Sequence, residues 1–141
     1  MKNKRIIKIG YKESCVKKIL ESDIIKFANI SGDFNPIHLD KEYAKNSIFK
    51  KRIAHGLYVG SFISRLIGEK IPGVGTIYLY QSLNFLEPVF INDIITTYVE
   101  VIEFINLKKV KLKTTCLNQN YQEVIKGEAL VYPPPEVEIV D

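Results

Sequence analysis

A change in hydrophobic periodicity at residues 72–75, Pro-Gly-Val-Gly, constrains the fold more than any other feature of this sequence. Before it, residues 53–69 are almost continuously apolar, which predicts a buried helix. After it, apolar and polar residues alternate over residues 76–85, as in a β-strand. Three further predicted strands follow, at residues 94–105, 108–117 and 122–132. Helices followed by an antiparallel meander predict an α+β fold, with the apolar helix packed on one face of a curved sheet.

Shorter elements are predicted on both sides of this core. Residues 2–9 and 14–20 are predicted to be extended, and a helix capped by Ser22 or Asp23 is predicted to run to Ile30. A second short helix is expected over residues 41–46. The Pro-rich residues 133–141 are predicted to form a surface tail, which leaves residues 1–132 as a single domain.

Composition excludes several classes of protein. The chain has 141 residues, 46% of them hydrophobic, which is enough for one cored domain and too many for a disordered chain. The chain has only two cysteines, Cys15 and Cys116, and they are far apart in sequence, which excludes a disulfide scaffold. They are expected to be buried thiols in a reducing cytosol. Neither a signal-peptide core nor a membrane-length apolar run is visible, which predicts a soluble, cytoplasmic protein.

The charge is mildly basic, with a net charge of +4 at pH 7. Basic residues are concentrated near the start of the chain, at residues 50–52 and on alternate positions of one predicted strand. Solvated surfaces and a strand edge protected by lysines explain most of this excess. No nucleic-acid-binding motif accompanies it, whereas an anionic small molecule that carries phosphates suits the charge equally well.

Candidate chemistry is concentrated in the loop SGDFNPIHLD, residues 31–40, and at the start of the apolar helix. The chain has two histidines, and His38 follows Asp33 by five residues in a loop broken by Gly and Pro. Such a loop can turn both side chains toward one pocket and supply a base with a titratable partner. A structural role for each histidine is the alternative, and a metal held by Asp33, His38 and a third ligand stays open. Zinc-ligand spacing, a phosphate-binding glycine loop and a Gly-x-Ser-x-Gly motif are all missing from the sequence.

Small residues recur every four positions along the apolar helix. Gly56, Gly60 and Ser64 therefore share one face of that helix. This face can accept either a closely packed neighbour or a bound ligand, and the spacing alone does not choose between them.

Two motifs together resemble the signature of the MaoC-like (R)-specific enoyl-CoA hydratases. Asp-x-Asn-Pro-x-His is met by DFNPIH at residues 33–38, and Ile-x-His-Gly is met by IAHG at residues 53–56. Looser similarity covers residues 14–132. Asp-x-Asn-Pro alone would be a weak signal, whereas the two motifs together are specific.

The resemblance implies a fold, a reaction and an assembly. The fold is the hot-dog fold, in which an antiparallel sheet wraps a long central helix. The reaction is that of a hydro-lyase in fatty acid metabolism, which reversibly adds water to trans-2-enoyl-CoA and gives (R)-3-hydroxyacyl-CoA. Neither a metal nor an organic cofactor is implied, since coenzyme A is part of the acyl-CoA substrate. The assembly is a homodimer whose sheets join edge to edge, with no nucleic-acid or membrane partner.

The resemblance also implies roles for individual residues. Asp33 and His38 match the catalytic pair, with Asp33 as the main base that activates water. The backbone N–H of Gly56 matches the donor that stabilises the developing charge on the thioester oxygen. Ser64 matches a position whose hydroxyl lies in the substrate site. Asn35 and His55 match supporting positions.

Three other functions stay open on the sequence. They are a hot-dog acyl-CoA thioesterase, an acyl-carrier-protein dehydratase and a non-catalytic acyl-CoA-binding domain. The Asp-x-Asn-Pro-x-His motif favours hydration over thioester cleavage, and the presence of both Asp33 and His38 favours an enzyme over a binding domain.

Overall fold

The computed structural model describes residues 4–140. Its elements, in chain order, are β1 (Arg5–Ile7), β2 (Lys12–Lys18), α1 (Glu21–Ser31), α2 (Pro36–Leu39), α3 (Lys41–Lys45), α4 (Gly56–Glu69), β3 (Ile77–Gln81), β4 (Asn84–Phe85), β5 (Ile94–Ile105), β6 (Lys109–Leu117), β7 (Glu123–Tyr132) and β8 (Val137–Ile139). Within the described residues, no helix is both long enough and apolar enough to cross a membrane. Helices precede a long antiparallel meander, which confirms the predicted α+β class.

The main sheet has the strand order β2-β5-β6-β7-β3, and all of its pairings are antiparallel. The helix α4 packs against β2, β5 and β6. Its buried face, which includes Val59, Ile63 and Leu66, joins the inward-facing residues of the strands in one hydrophobic core. Alternate residues of β5 and β6 are buried, as the period-two pattern predicted.

The central helix is shorter and less buried than predicted. It begins at Gly56 rather than at residue 53, because Ile53 forms a β-bridge with Phe90. One side of the helix remains exposed in the single chain, and Leu57 is 65% accessible. A single sheet can cover only one side of a helix, so apolar residues on the other side stay uncovered.

The predicted strand at residues 76–85 is divided into β3 and β4. The register shifts between Tyr78 and Tyr80, and β4 pairs with a different part of β7. At Gly127 of β7, a Cβ atom would overlap the carbonyl oxygen of Ser82. The chain between the two short strands therefore runs along the edge of β7 and approaches it most closely at a point where only glycine leaves room.

Two other segments contain more structure than expected. Pro36 occupies the first turn of α2 inside the predicted loop, a position that proline tolerates because its missing N–H would have no helical partner. In the predicted surface tail, Pro134 is buried and β8 pairs in parallel with β1. Val137 and Ile139 pack against the core, so this part of the tail is not a surface segment. The domain boundary at residue 132 stays a prediction, and residues 1–3 and 141 lie outside the described residues.

Candidate active site

The loop before α2 is held by hydrogen bonds between neighbouring residues. Asp33 Oδ1 accepts a hydrogen bond from the N–H of Asn35 at 3.2 Å. Asn35 Oδ1 in turn accepts one from the N–H of Ile37 at 3.3 Å, which caps the helix. The short helix that follows places His38 in its last turn with only 8% of the residue accessible. Asn35 thus joins the loop to the start of α2 through its side chain.

The two histidines, far apart in sequence, stack on each other. Their ring centroids lie 3.8 Å apart with an interplanar angle of 28°. Nδ1 of His38 lies 2.7 Å from the carbonyl oxygen of Ile53, and Nε2 of His55 lies 3.1 Å from the carbonyl oxygen of Asp33. A carbonyl oxygen can only accept, so each of these nitrogens is the donor. In neutral His38 this leaves Nε2 with a free lone pair.

Burial controls the protonation of His38. Removal from solvent is the main cause that lowers the pKa of His38 below its ordinary value of 6.5, and neighbouring His55 lowers it further. The hydrogen bond to Ile53 and the charge of Asp33 oppose this shift. His38 is therefore a neutral imidazole at pH 7, able to accept a proton.

Asp33, His38 and His55 form one cluster. Each offers an oxygen or nitrogen atom, and these three atoms lie within 4.8 Å of one another. The carboxylate residue is exposed, whereas both histidines are buried. Such an arrangement can transfer protons between an exposed carboxylate and a buried imidazole, and its donor atoms could also hold a divalent cation.

A cavity of about 430 Å³ lies beside this cluster. Asp33, His38 and Gly56 line it together with apolar residues of α4 and of the segment after β4. Gly56 is the first residue of α4, so its N–H has no acceptor within the helix and lies at the positive end of the helix dipole. A Cβ atom at this position would lie 2.6 Å from Cε1 of Phe85. The absence of a side chain at Gly56 thus lets the ring of Phe85 pack closely against the start of α4 at the cavity wall.

The structure separates the small residues of α4. Gly60 faces Leu83, whose Cδ1 would lie 3.2 Å from an added Cβ, so it serves close packing. Ser64 is exposed and is not among the residues that line the cavity. Eight helical residues place it about 12 Å along the axis from Gly56. Within the single chain, Ser64 is therefore not assembled with Asp33 and His38.

Sequence reasoning missed the aromatic residues that pack around His55. Phe27 contacts the ring of His55 with a centroid distance of 4.8 Å and the ring of Tyr58 at 5.7 Å. Burial raises the pKa of Tyr58, and nearby Asp23 raises it further, so the phenol stays protonated. The apolar periodicity of α1 and α4 marks these positions as buried but carries no information about which of them meet.

The apolar wall of the cavity was also missed. Its members come from α4, from β4 and the segment after it, and from β7: Leu57, Phe85, Leu86, Val89, Val124 and Ile125. Such residues look in sequence like ordinary core or strand positions, and only the chain's path shows that they face a cavity.

Comparisons with known proteins place the chain in a family. The family model described as MaoC like domain matches residues 2–122. The (R)-specific enoyl-CoA hydratase of Rhodospirillum rubrum is 46% identical over 129 residues, which cover 91% of this chain and 89% of that protein. The 3-hydroxybutyryl-CoA dehydratase of Methylorubrum extorquens is 43% identical over 133 residues, covering 94% of this chain and 84% of its relative.

A solved structure agrees with the architecture. The (R)-hydratase from A. caviae involved in PHA biosynthesis has a TM-score of 0.88 and 38% sequence identity, covering 91% of this chain and 98% of that one. The predicted hot-dog fold is thereby confirmed. The matching family model, the fold and the relatives that cover nearly its whole length together show that the chain belongs to the MaoC-like domain family.

Proposed function

We propose that this protein is an (R)-specific enoyl-CoA hydratase, a hydro-lyase that reversibly adds water to trans-2-enoyl-CoA. The observation that carries the proposal is the meeting of Asp33, His38 and Gly56 on the wall of one largely apolar cavity. An exposed carboxylate and a buried imidazole supply proton transfer, and the first turn of a helix supplies an anion-stabilising donor. The relatives that bear this activity by name span most of the chain.

In the proposed reaction, a water molecule is held between Asp33 and His38. Asp33 removes a proton from the water as the oxygen bonds to C3 of the enoyl group. The electron pair of the double bond moves toward the thioester, and C2 then takes up a proton. The proton removed from water and the one delivered to C2 both pass through the Asp33–His38 pair, so the pair returns to its starting state.

Gly56 stabilises the charge that forms in this reaction. Addition at C3 increases the negative charge on the thioester oxygen. An N–H at a helix start is unpaired and carries partial positive charge, so a fixed donor there lowers the barrier. Asn35 and His55 act as supports, since their hydrogen bonds hold the loop that carries Asp33. Ser64 can bind near the catalytic groups only if another part of an assembly brings it there.

Hydration of crotonyl-CoA by the purified protein tests the proposal. We expect the absorbance of the conjugated enoyl thioester to fall, and a stereospecific dehydrogenase to identify the product as (R)-3-hydroxybutyryl-CoA. Release of free thiol without loss of the double bond would instead identify a thioesterase. An unchanged absorbance across substrates from four to twelve acyl carbons would reject the hydratase.

We propose that the reaction needs neither a metal nor an organic cofactor. The proton transfers above use only side chains and backbone groups of this chain. We expect dialysis against EDTA to leave kcat unchanged, measured with crotonyl-CoA before and after treatment. A loss of activity that Zn²⁺ or Mg²⁺ restores would show that the Asp33–His38–His55 cluster holds a catalytic cation.

We propose a homodimer that forms along β3. The two edges of the main sheet differ in character: β2 carries Lys12, Lys17 and Lys18, whereas β3 exposes apolar and aromatic side chains. Ile77 is 58% accessible and Leu79 is 43% accessible. Charged edges prevent strand pairing and apolar edges promote it.

A cytoplasmic location is proposed as well, because Cys15 and Cys116 are free thiols.

A further inference from the structure

A second concave surface lies next to the active-site cavity and is strongly basic. We call it the basic groove. Its volume is about 480 Å³, and its lining contains five cationic residues, Lys41, Lys45, Lys50, Lys51 and Arg52. Glu21 is the one carboxylate among the lining residues, which also include Phe90, Ile91 and Asn92. The groove thus combines excess positive charge with an apolar wall.

The basic groove and the active-site cavity are built on the same two chain segments. Ile53 forms a β-bridge with Phe90, and the N–H of Ala54 donates to the carbonyl oxygen of Val89 at 2.7 Å. Ile53, Ala54 and Val89 line the active-site cavity, whereas residues 50–52 and 90–92 line the groove. Three residues of extended chain span about 10 Å. One elongated molecule can therefore reach from the cavity to the groove.

The charges of the groove are not balanced within the protein. Arg52 pairs with Glu21 at 3.3 Å, but among residues 4–140 none of the four groove lysines forms a salt bridge. Lys41 and Lys45 are four residues apart on α3, so they lie on the same face and repel each other. An anion placed between these side chains would relieve that repulsion.

We propose that the basic groove binds the nucleotide end of coenzyme A while the acyl thioester occupies the active-site cavity. This assignment rests on the hydratase function proposed above. The lysines match the phosphate groups, and Ile91 provides an apolar surface beside them that suits the adenine ring. Lys51 Nζ lies 4.8 Å from the ring centroid of Phe90, so that aromatic ring holds one of the cations of the groove. The segments at residues 50–54 and 89–92 line both sites. The arm of coenzyme A between its nucleotide and its thioester would therefore lie along these segments.

The test compares a groove variant with a variant of equal charge change elsewhere. The groove variant is Lys41→Gln/Lys45→Gln/Lys51→Gln, and the control is Lys108→Gln/Lys113→Gln/Lys126→Gln, whose residues lie outside the groove lining. Because exposed ion pairs are individually weak, the three groove substitutions together are expected to raise KM for crotonyl-CoA about tenfold. We expect kcat to remain unchanged and the control to keep the wild-type KM.

Two further measurements test whether the groove contacts the nucleotide itself. The groove variant should hydrate the N-acetylcysteamine thioester of crotonic acid, which lacks the nucleotide, as well as the wild type does. Adenosine 3′,5′-bisphosphate should bind the wild type in calorimetry, and its binding should weaken in the groove variant and with added salt. The calorimetric result does not depend on turnover, so it tests the groove even if no thioester is hydrated.

Three outcomes would overturn the assignment. One is an equal rise of KM in the groove and control variants, which would show a general effect of charge. Another is wild-type affinity for adenosine 3′,5′-bisphosphate in the groove variant. The third is a loss of rate confined to crotonyl-acyl-carrier protein, which would show that the groove contacts a protein carrier instead.

Discussion

Asp33 and His38 differ in their access to solvent, and the difference suits them to separate tasks. The Asp33 carboxylate is exposed at the cavity, where water enters, whereas His38 is buried and held by Ile53. Fixing one nitrogen of the imidazole directs the other toward the reacting groups. The proposed chemistry therefore depends on side-chain positions set by a few hydrogen bonds.

Replacing Asp33 with Asn tests the base directly. The amide can still accept the hydrogen bond from the N–H of Asn35, so the loop keeps its shape, but it cannot accept a proton. We expect kcat for crotonyl-CoA to fall by about 10²-fold or more, with an unchanged midpoint of thermal unfolding. Asp40→Asn is the matched control, because Asp40 caps α3 and Asn is an equally good cap. A full rate in Asp33→Asn would refute the assignment.

The pH dependence of stability follows from His38. Its pKa is lowered from 6.5 in the folded chain, so unfolding takes up a proton in the interval between the folded and unfolded pKa values. The contribution of neutral His38 to the free energy of unfolding is complete above pH 6.5 and is lost as the pH falls toward the folded pKa.

Thermal unfolding of the wild type and His38→Gln from pH 8 to pH 4 measures this contribution. We expect the wild type to lose stability relative to the variant below about pH 6.5. The activity of the wild type should decline only at the lower end of this range, where the pH reaches the folded pKa and His38 becomes protonated in the free enzyme. Parallel stability curves over the whole range would contradict a buried, neutral His38.

At the level of elements, the irregular segment that joins β3 and β4 along the edge of β7 shapes one side of the cavity. The strand β4 carries Phe85, and the residues that follow it line the cavity wall. Ser82 anchors this segment, because its hydroxyl accepts a hydrogen bond from the N–H of Glu128 at 2.9 Å and its own N–H donates to the carbonyl oxygen of Glu128. Gly127, beside this segment, is therefore a structural requirement of the site.

Gly127→Ala tests that requirement. The added methyl group would overlap the carbonyl oxygen of Ser82, and the backbone must move to accept it. We expect the free energy of unfolding to fall by about 2–3 kcal/mol, measured by urea denaturation. Gly68→Ala in α4 is the control, since nothing lies within 4 Å of its added Cβ and alanine favours helix by about 1 kcal/mol over glycine. Equal stability of Gly127→Ala and the wild type would show that the segment around Ser82 moves to accept the methyl group without cost.

At the level of the whole molecule, the proposed dimer rests on the contrast between the two edges of the sheet. The lysines of β2 oppose strand pairing at that edge, whereas the exposed apolar side chains of β3 favour it. Leu57 on the open side of α4 is also largely exposed in the single chain. A dimer along β3 would add a second sheet to the first.

Leu79→Lys tests the β3 edge. A lysine there should oppose pairing with a second copy, so light scattering after gel filtration should report a monomer where the wild type is a dimer. Val16→Lys on β2 is the matched control, because Val16 is 60% accessible on the opposite edge. A wild-type protein that is monomeric, or a Leu79→Lys variant that remains dimeric, would exclude β3 as the interface.

Local patterns predicted most of the elements. Periodicity located β5, β6 and β7 to within two residues, apolar spacing located α1, and the cap at Asp40 located α3. The predicted cap of α1 at Ser22 or Asp23 was wrong, because the helix begins at Glu21 after Leu20, which makes no side-chain cap hydrogen bond. The start of α4 was misplaced, because the apolar run of Ile53 and Ala54 continues the helical pattern while their backbone pairs with Phe90 and Val89. Pairing with a distant segment leaves no local signal, and the same reason hid the strand β8 beside β1.

The sequence by itself determined the family motifs, the Asp33–His38 spacing and the order of helices and strands, because these depend on neighbours along the chain. Only the tertiary structure decided that His55 stacks on His38, that Ser64 lies away from the cavity and that groove lysines from α3 and residues 50–51 converge. Each of these depends on segments that are separated in sequence and brought together by the packing of helices and strands. Residue type records the chemistry available, whereas the path of the chain decides which groups meet.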